Sequence, residues 1–451
     1  MKRTTIRAAA ATSVAALILA GCGAGGRDGD SGDGGGGGDA AAEGDTTGIT
    51  DTTIKIGDHK PLTGVAAPGY SEISTGAQAY YDWVNEAGGI HGRTIEYNVK
   101  DDGYNPTNTS KVVDELVLKD EVFAIVGGLG TPTHSAVVDF LNQEEVPDLM
   151  VSSGAQLWGN DPEKRPWTFG WQPDYEIEGK IMGQYIKENM PDAKVGLFLQ
   201  GDELGADGEK GLRMYIDDQI VESVEYASGN TDVGPQISKL KASGADLVIG
   251  FNTPSYTALS QLVSMKLGYD PQWMYTNVGS DVNLVGSLLA KFSDGSVKDG
   301  SSALDGMMTT EYIPGLDTPD DPWVKLWQEV WDKHGEGELT NYRIFGMSQA
   351  YAFVSALQAS GEDLTRERIV EVIEKDGANW PGPGLAPFRW SEESHLGMSG
   401  MAMSQTKGED YENLTEVLVT DLGDAEITEG DTAAAEDAPP ENGIPDVAVV
   451  E

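Results

Sequence analysis

The sequence predicts an α/β protein built from two doubly wound parallel-sheet lobes. Three observations carry that expectation. Short runs of β-branched and apolar residues alternate with longer runs of helical period. Some of the short runs, such as 122–126, are apolar on both faces, as strands of a sheet covered on either side by helices must be. The alternation also runs twice, once through 53–151 and again from Tyr175, with a loop containing Trp158, Pro162 and Pro166 between.

The first pass begins with a strand at 53–57, followed by a helix at 71–87 with Ala77, Tyr80, Tyr81 and Val84 on one side. Gly88-Gly89 ends that helix in the way C-terminal glycines do. Strands at 94–100, 122–126 and 147–151 then alternate with helices at 106–119 and 133–144. The second pass reads helix 175–190, strand 194–199, helix 208–220, strand 223–226, helix 233–243, strand 245–250, helix 255–266 and strand 272–276. Helices at 321–334, 343–359 and 365–374 follow, then a closing hairpin of 400–404 and 416–420 with Gly408 in its turn. Beyond Leu422 the chain has no basic residue, and 423–451 reads as a disordered acidic tail.

Composition narrows the function. The 451 residues include 74 acidic and 30 basic side chains, a formal net charge of −44. Such a surface opposes nucleic-acid binding, which needs a cationic face, and charge-driven docking on anionic lipid. Cys22 is the single cysteine, so neither an internal disulfide nor a cysteine-built zinc site can form.

The first 22 residues read as a secretory signal: Lys2, Arg3 and Arg7 precede an apolar run at 8–20, too short to remain as a membrane span. Leu19-Ala20-Gly21-Cys22 looks like the lipobox of bacterial lipoproteins, which would make Cys22 the lipidation site. Residues 23–50, rich in Gly and Asp, read as a disordered tether. The expected location is outside the cell, with a lipid anchor on the outer face of the membrane.

Signals for catalysis are weak. The 205–211 stretch resembles a phosphate loop but lacks its spacing, and reads instead as a glycine-rich strand-to-helix turn. Gly397-Met398-Ser399-Gly400 misses the nucleophile-elbow spacing. His59, His91, His134, His334 and His395 show no metal-ligand spacing and read as loop or surface residues. The expectation is a protein that is not an enzyme, with no catalytic residue, metal or cofactor.

One constellation points to binding. The strand at 122–126 runs into Gly127-Gly128-Leu129-Gly130-Thr131-Pro132-Thr133 and then a helix start, so close backbone approach, free N–H groups and two hydroxyls converge. Ser152-Ser153-Gly154-Ala155-Gln156 follows the next strand. Both loops lie at carboxyl ends of parallel strands, where open α/β sheets bind ligands.

The chain resembles the type I periplasmic-type substrate-binding proteins of the branched-chain amino acid (leucine-binding) ABC transporter family. The resemblance rests on Ile54-Lys55-Ile56-Gly57, Pro61-Leu62-Thr63-Gly64, Gly76-Ala77, Lys100-Asp101-Asp102, Asn105-Pro106, Val126-Gly127-Gly128 and Gly244-Ala245-Asp246. Its most specific element is Asn85-x-x-Gly88-Gly89-Ile90-x-Gly92, and it covers roughly 51–420. It implies a three-strand hinge joining an N-terminal lobe (51–172 and 309–361) to a C-terminal lobe (173–308 and 362–422). By position, it places Thr131, Ala155 and Gln156 near a ligand carboxylate, where the loop reading adds Thr133, and Tyr70, Trp158 and Tyr342 around its apolar part. Asn277 falls where the family has an acidic partner for the ligand's ammonium, and Asp281 could substitute if the loop shifts. The implied function is the solute-binding component of an ABC importer, with permease subunits as partners and an amino acid or similar carboxylate-bearing solute as ligand. An extracytoplasmic sensor that signals to a membrane partner is the alternative.

Overall fold

The computed structural model describes residues 44–298, 300–408, 410–430 and 438–451. The signal segment, Cys22 and the tether up to residue 43 lie outside the described residues, as does 431–437. Among the described residues no helix is long and apolar enough to cross a membrane.

The first lobe is built on a five-stranded parallel sheet, in the order β2-β1-β3-β4-β5. Its strands are β1 (Thr53–Lys60), β2 (Thr94–Asp101), β3 (Ala124–Val126), β4 (Asp148–Val151) and β5 (Thr168–Gly170). β3 and β4 are buried throughout, which explains their unbroken apolar reading. Helices α1 (Ala67–Glu86), α2 (Pro106–Leu118), α3 (Thr131–Ser135) and α4 (Val138–Gln143) connect them. Asn105 caps α2 by accepting from the Thr107 and Asn108 amides, directly ahead of Pro106 at the first helical position.

The second lobe opens with α5 (Tyr175–Asn189), β6 (Val195–Gln200), α6 (Glu203–Ile216), β7 (Ile220–Tyr226), α7 (Gly234–Ser243), β8 (Leu247–Phe251), α8 (Pro254–Leu267), β9 (Gln272–Tyr275), α9 (Val282–Phe292) and β10 (Met308–Glu311). After α10 (Pro322–His334), α11 (Asn341–Ser360) and α12 (Arg366–Asp376), the chain returns with β11 (Gly400–Lys407), β12 (Asp410–Asn413), β13 (Leu418–Val419) and β14 (Thr428–Glu429). Strands β7, β6, β8, β9 and β10 run parallel in that order, and β11 continues the sheet antiparallel to β10, followed by β13 and β14.

Three crossings join the lobes: after β5, after β10, and before β11. They lie side by side. The Met398 amide donates to the Trp171 carbonyl and the Leu385 amide to Tyr312, while the Trp171 and Tyr312 rings meet edge-on at 6.0 Å. Arg389 spans them through Asp174 (2.5 Å) and Asp421 (2.9 Å).

The structure redraws several sequence expectations. β10, expected in the first lobe, is a strand of the second sheet because its backbone pairs with β9 and β11. Of the residues expected in the second lobe from 362 onward, those ahead of β11 stay with the first: Arg366 donates to the Val122 and Phe123 carbonyls, and Trp390 Nε1 donates to Gly170. The tether expected to reach residue 50 is already held at Asp45, whose carboxylate meets Arg366 at 3.1 Å.

The expected disordered tail is also ordered in part. Tyr80 Oη donates to the Gly443 carbonyl, Trp83 Nε1 to Asn442, and the Val450 amide to Ala359, while Val447 joins the core. Val447 and its neighbours are apolar enough to dock, a local pattern that the acidic average of the segment conceals. Strand β14 adds to the second sheet.

The glycines of 205–211 lie in α6 rather than in a turn. A β-carbon on Gly211 would fall 2.1 Å from the Glu176 carbonyl, so the small residues let α6 press on α5. The same device joins α1 to α11: β-carbons on Gly76 and Gly346 would stand 2.1 Å from Arg343 O and 2.0 Å from Ile73 O. Those two helices carry Tyr70 and Tyr342.

Candidate functional site

A cavity of about 150 Å³ opens between the lobes at the carboxyl ends of their strands. The first lobe contributes Tyr70, Tyr104, Leu129, Gly130, Thr131 and Ser152. The second contributes Leu204, Thr253, Asn277, Ser280 and Asp281, and the crossings add Gln172, Glu311, Tyr312 and Asp317. Hydrogen bonds join the lobes around it: Asn341 Nδ2 to Asp281 Oδ2 (2.9 Å), Ser255 Oγ to Val65 O (2.9 Å), and the Gln156 amide to Asp207 Oδ2 (3.0 Å). Burial pushes the Asp207 carboxyl up to about 6.

Gly130 turns the β3 loop into α3 at φ +102, and a β-carbon there would meet the Tyr104 ring and Thr133 Oγ1 at 2.5 Å. Only glycine suits that position. Thr131 Oγ1 and Ser153 Oγ are 2.8 Å apart, with Tyr175 Oη 3.4 Å from Ser153. The expected helix at 133–144 is split into the short α3 and α4, so its N-terminal dipole is much weaker than a continuous helix would supply.

Beneath this loop lies a chain that the sequence did not reveal. Asp102 meets His59 at 2.9 Å, His59 meets His134 at 2.9 Å, and His134 meets Asp148 at 2.8 Å, with all four side chains fully buried. Making all three bonds takes three protons on four ring nitrogens, which places one positive charge between two carboxylates. Burial opposes that charge and holds His59 below the usual imidazole range, despite Asp102. His59, in β1, and His134, in α3, are therefore neither loop nor surface residues, and His395, although in a loop, is buried.

Of the residues expected to bind ligand, Tyr70, Thr131, Tyr342 and Asn277 line the cavity, and the other four do not. Thr133 Oγ1 is spent on the Leu129 and Gly130 carbonyls. Gln156 Nε2 donates to Glu176, itself paired with Lys210 at 2.5 Å. Ala155 is buried, and Trp158 packs edge-on against His134 at 4.9 Å. The β4 loop turns these side chains toward the first-lobe interior and toward α5 and α6.

Sequence reasoning missed Glu311 and Asp317, and it offered Asp281 only as a substitute. Burial pushes Glu311 up to about 7, with Asp317 adding repulsion. Burial also raises Asp281 and Asp317, and Asp317 is raised further by Asp410 and Asp281. Tyr70 meets the Tyr342 ring edge-on at 5.9 Å, forming an aromatic wall beside them.

Comparison with known proteins agrees with this geometry. A family model described as periplasmic binding protein matches residues 53–411. Leu/Ile/Val-binding protein homolog 3 of Brucella melitensis is 28% identical over 201 residues, 43% of this chain and 53% of that protein. The chain thus spans about half the length of the first relatives it matches. Homolog 1 of Brucella abortus is 25% identical over 70% of this chain and 81% of its own. A branched-chain amino acid ABC transporter protein of Thermus thermophilus with bound valine superposes with a TM-score of 0.70 at 19% identity, covering 82% of this chain and 98% of that one. A fatty acid ABC transporter substrate-binding protein of Thermomonospora curvata gives 0.71 at 21% identity, covering 84% and 95%.

Proposed function

The chain belongs to the periplasmic binding protein family, and from that premise we propose that it is the solute-binding component of an ABC importer, capturing an amino acid or similar small carboxylate-bearing solute between its hinged lobes. The observation that carries this reading is the inter-lobe cavity, lined by hydroxyls on one side and carboxylates on another and bridged by hydrogen bonds between the lobes. Thr131 and the neighbouring Ser153 would hold the solute's carboxylate, Tyr70 and Tyr342 its carbon skeleton, and Asn277 and Asp281 its amine. Ligand binding would favour the closed arrangement by adding contacts to both lobes at once. The names of the relatives above, which include proteins for leucine, isoleucine and valine, support an amino acid as the solute class. Export and lipid attachment at Cys22 complete the proposal and rest on the leader sequence.

Thermal-shift titration of the purified protein against amino acids tests the capture role. A midpoint that rises with concentration as RT ln(1 + [L]/Kd) is expected, together with a smaller radius of gyration in solution scattering. A midpoint indifferent to every amino acid at millimolar concentration would sink the reading. Mass spectrometry of the membrane-extracted protein tests the anchor: a diacylglyceryl mass on Cys22 is expected, and it should vanish in Cys22→Ser.

A further inference from the structure

Resting on that reading, we propose that the solute is a dibasic amino acid, whose side-chain cation is held by Glu311 and Asp317 while Asp281 faces its α-ammonium.

Three carboxylates line the cavity, but no lysine, arginine or histidine does. They are grouped. Asp281 Oδ2 accepts from Asn341 Nδ2 at 2.9 Å, and the point where a β-carbon on Gly315 would sit lies 2.8 Å from Asp317 Oδ1 and 3.0 Å from Asn341 Oδ1. Glu311 accepts from Ser404 Oγ at 2.5 Å and is close enough to Asp317 for the two to repel. None of the three has a cationic partner in an ion pair among the described residues. Like charges brought together out of water raise each other's proton affinity, and a cation relieves them. A zwitterion with one ammonium brings a single positive charge to three acids; a dibasic amino acid brings two.

Independent observations show that the cavity lacks a polar partner. Gln172 Nε2 and Thr309 Oγ1 belong to residues only 5% and 0% exposed, both line the cavity, and neither atom has a hydrogen-bond partner. An amide N–H can only donate, so Gln172 calls for an oxygen, such as that of a carboxylate. Buried polar groups left unpaired are costly, and a ligand that satisfies them gains the difference. The aromatic wall of Tyr70 and Tyr342 suits an aliphatic stem ending in a cation, which an aromatic face also attracts.

Calorimetric titration of the purified protein with L-leucine, L-lysine and 1,5-diaminopentane tests the assignment. L-Lysine is expected to bind at least tenfold tighter than L-leucine, and the diamine, lacking a carboxylate, more weakly than lysine. Asp317→Asn and Glu311→Gln should each weaken lysine binding about tenfold and change leucine binding less than twofold, with melting curves showing both variants folded. Tighter binding of leucine, or lysine binding indifferent to both substitutions, overturns the dibasic assignment and leaves solute capture standing. A diamine that matches lysine overturns the carboxylate half of the assignment. If none of the three probes binds, the dibasic assignment fails; only failure across the wider amino-acid panel would also remove the capture reading.

Discussion

The two walls of the cavity are built on opposite principles. On the Thr131 side the polar groups already serve one another: Thr131 pairs with Ser153, Thr133 caps its own turn, and the His59–His134 chain supports the loop from below. On the Glu311 side, carboxylates crowd without cations, and the neighbouring Thr309 Oγ1 has no partner. The first wall is preorganised and costs little to keep empty. The second has hydrogen bonds to Ser404 and Asn341 but no cation of its own, so it gains most from what enters the cavity and is where selectivity can reside.

The largest effect should come from attacking the rigid wall through its scaffold. Gly346→Val would drive a side chain into the Ile73 carbonyl where α11 crosses α1. A loss of about 3 kcal/mol or more is expected in denaturant unfolding. Wild-type stability in that substitution would mean that the two helices can separate without consequence.

Acidity separates the walls next. Glu311 is held up to about 7, and Asp281 and Asp317 are also raised. Between their unfolded values near pH 4 and their folded values, the native state binds more protons than the unfolded chain. The contribution of these three acids to the stability of the empty protein should therefore rise as pH falls from about 7 to about 5, opposed in the same range by His59, whose lowered proton affinity costs stability there. Asp101 and Asp120 are lowered by their partners, act with the opposite sign, and act only at lower pH. Glu311→Gln should flatten the slope between pH 5 and 7; an unchanged slope in that variant would remove Glu311 as its source.

Smaller effects sharpen the contrast. Thr131→Val should weaken solute binding by about 1 kcal/mol, the worth of one hydrogen bond, while also leaving Ser153 short of a partner. Thr309→Val removes an orphaned hydroxyl, so the empty protein should melt slightly higher, by the equivalent of about 0.5 kcal/mol, while solute affinity falls. Should both stability and affinity fall, Thr309 belongs to the packing rather than to the receptive wall.

The two walls were also unequally legible in the sequence. The Gly127–Thr133 loop announced itself because glycine and hydroxyl residues follow an apolar strand, a local pattern. Glu311 and Asp317 come from a crossing far along the chain, and among 74 acidic residues a carboxylate carries almost no signal by type alone. The lobes themselves were readable from alternation, whereas their boundaries were not. Whether β10 or α12 belongs to one sheet or the other depends on pairing and on contacts such as Arg366 with Val122, which no local pattern encodes. The histidine chain was hidden for the same reason, since His59 and His134 are separated by 75 positions and meet only through the sheet.

One more consequence follows from the way Asp45 and Val450 are held. The early segment grips Arg366 of α12, and the late one donates to Ala359 of α11, both on the first lobe. Fluorophores attached near residues 45 and 450 would ride on the same rigid body and stay silent during closure. A pair reporting solute capture needs one dye there and the other on a second-lobe helix such as α7, and a surface immobilised through either segment would leave the second lobe free to swing.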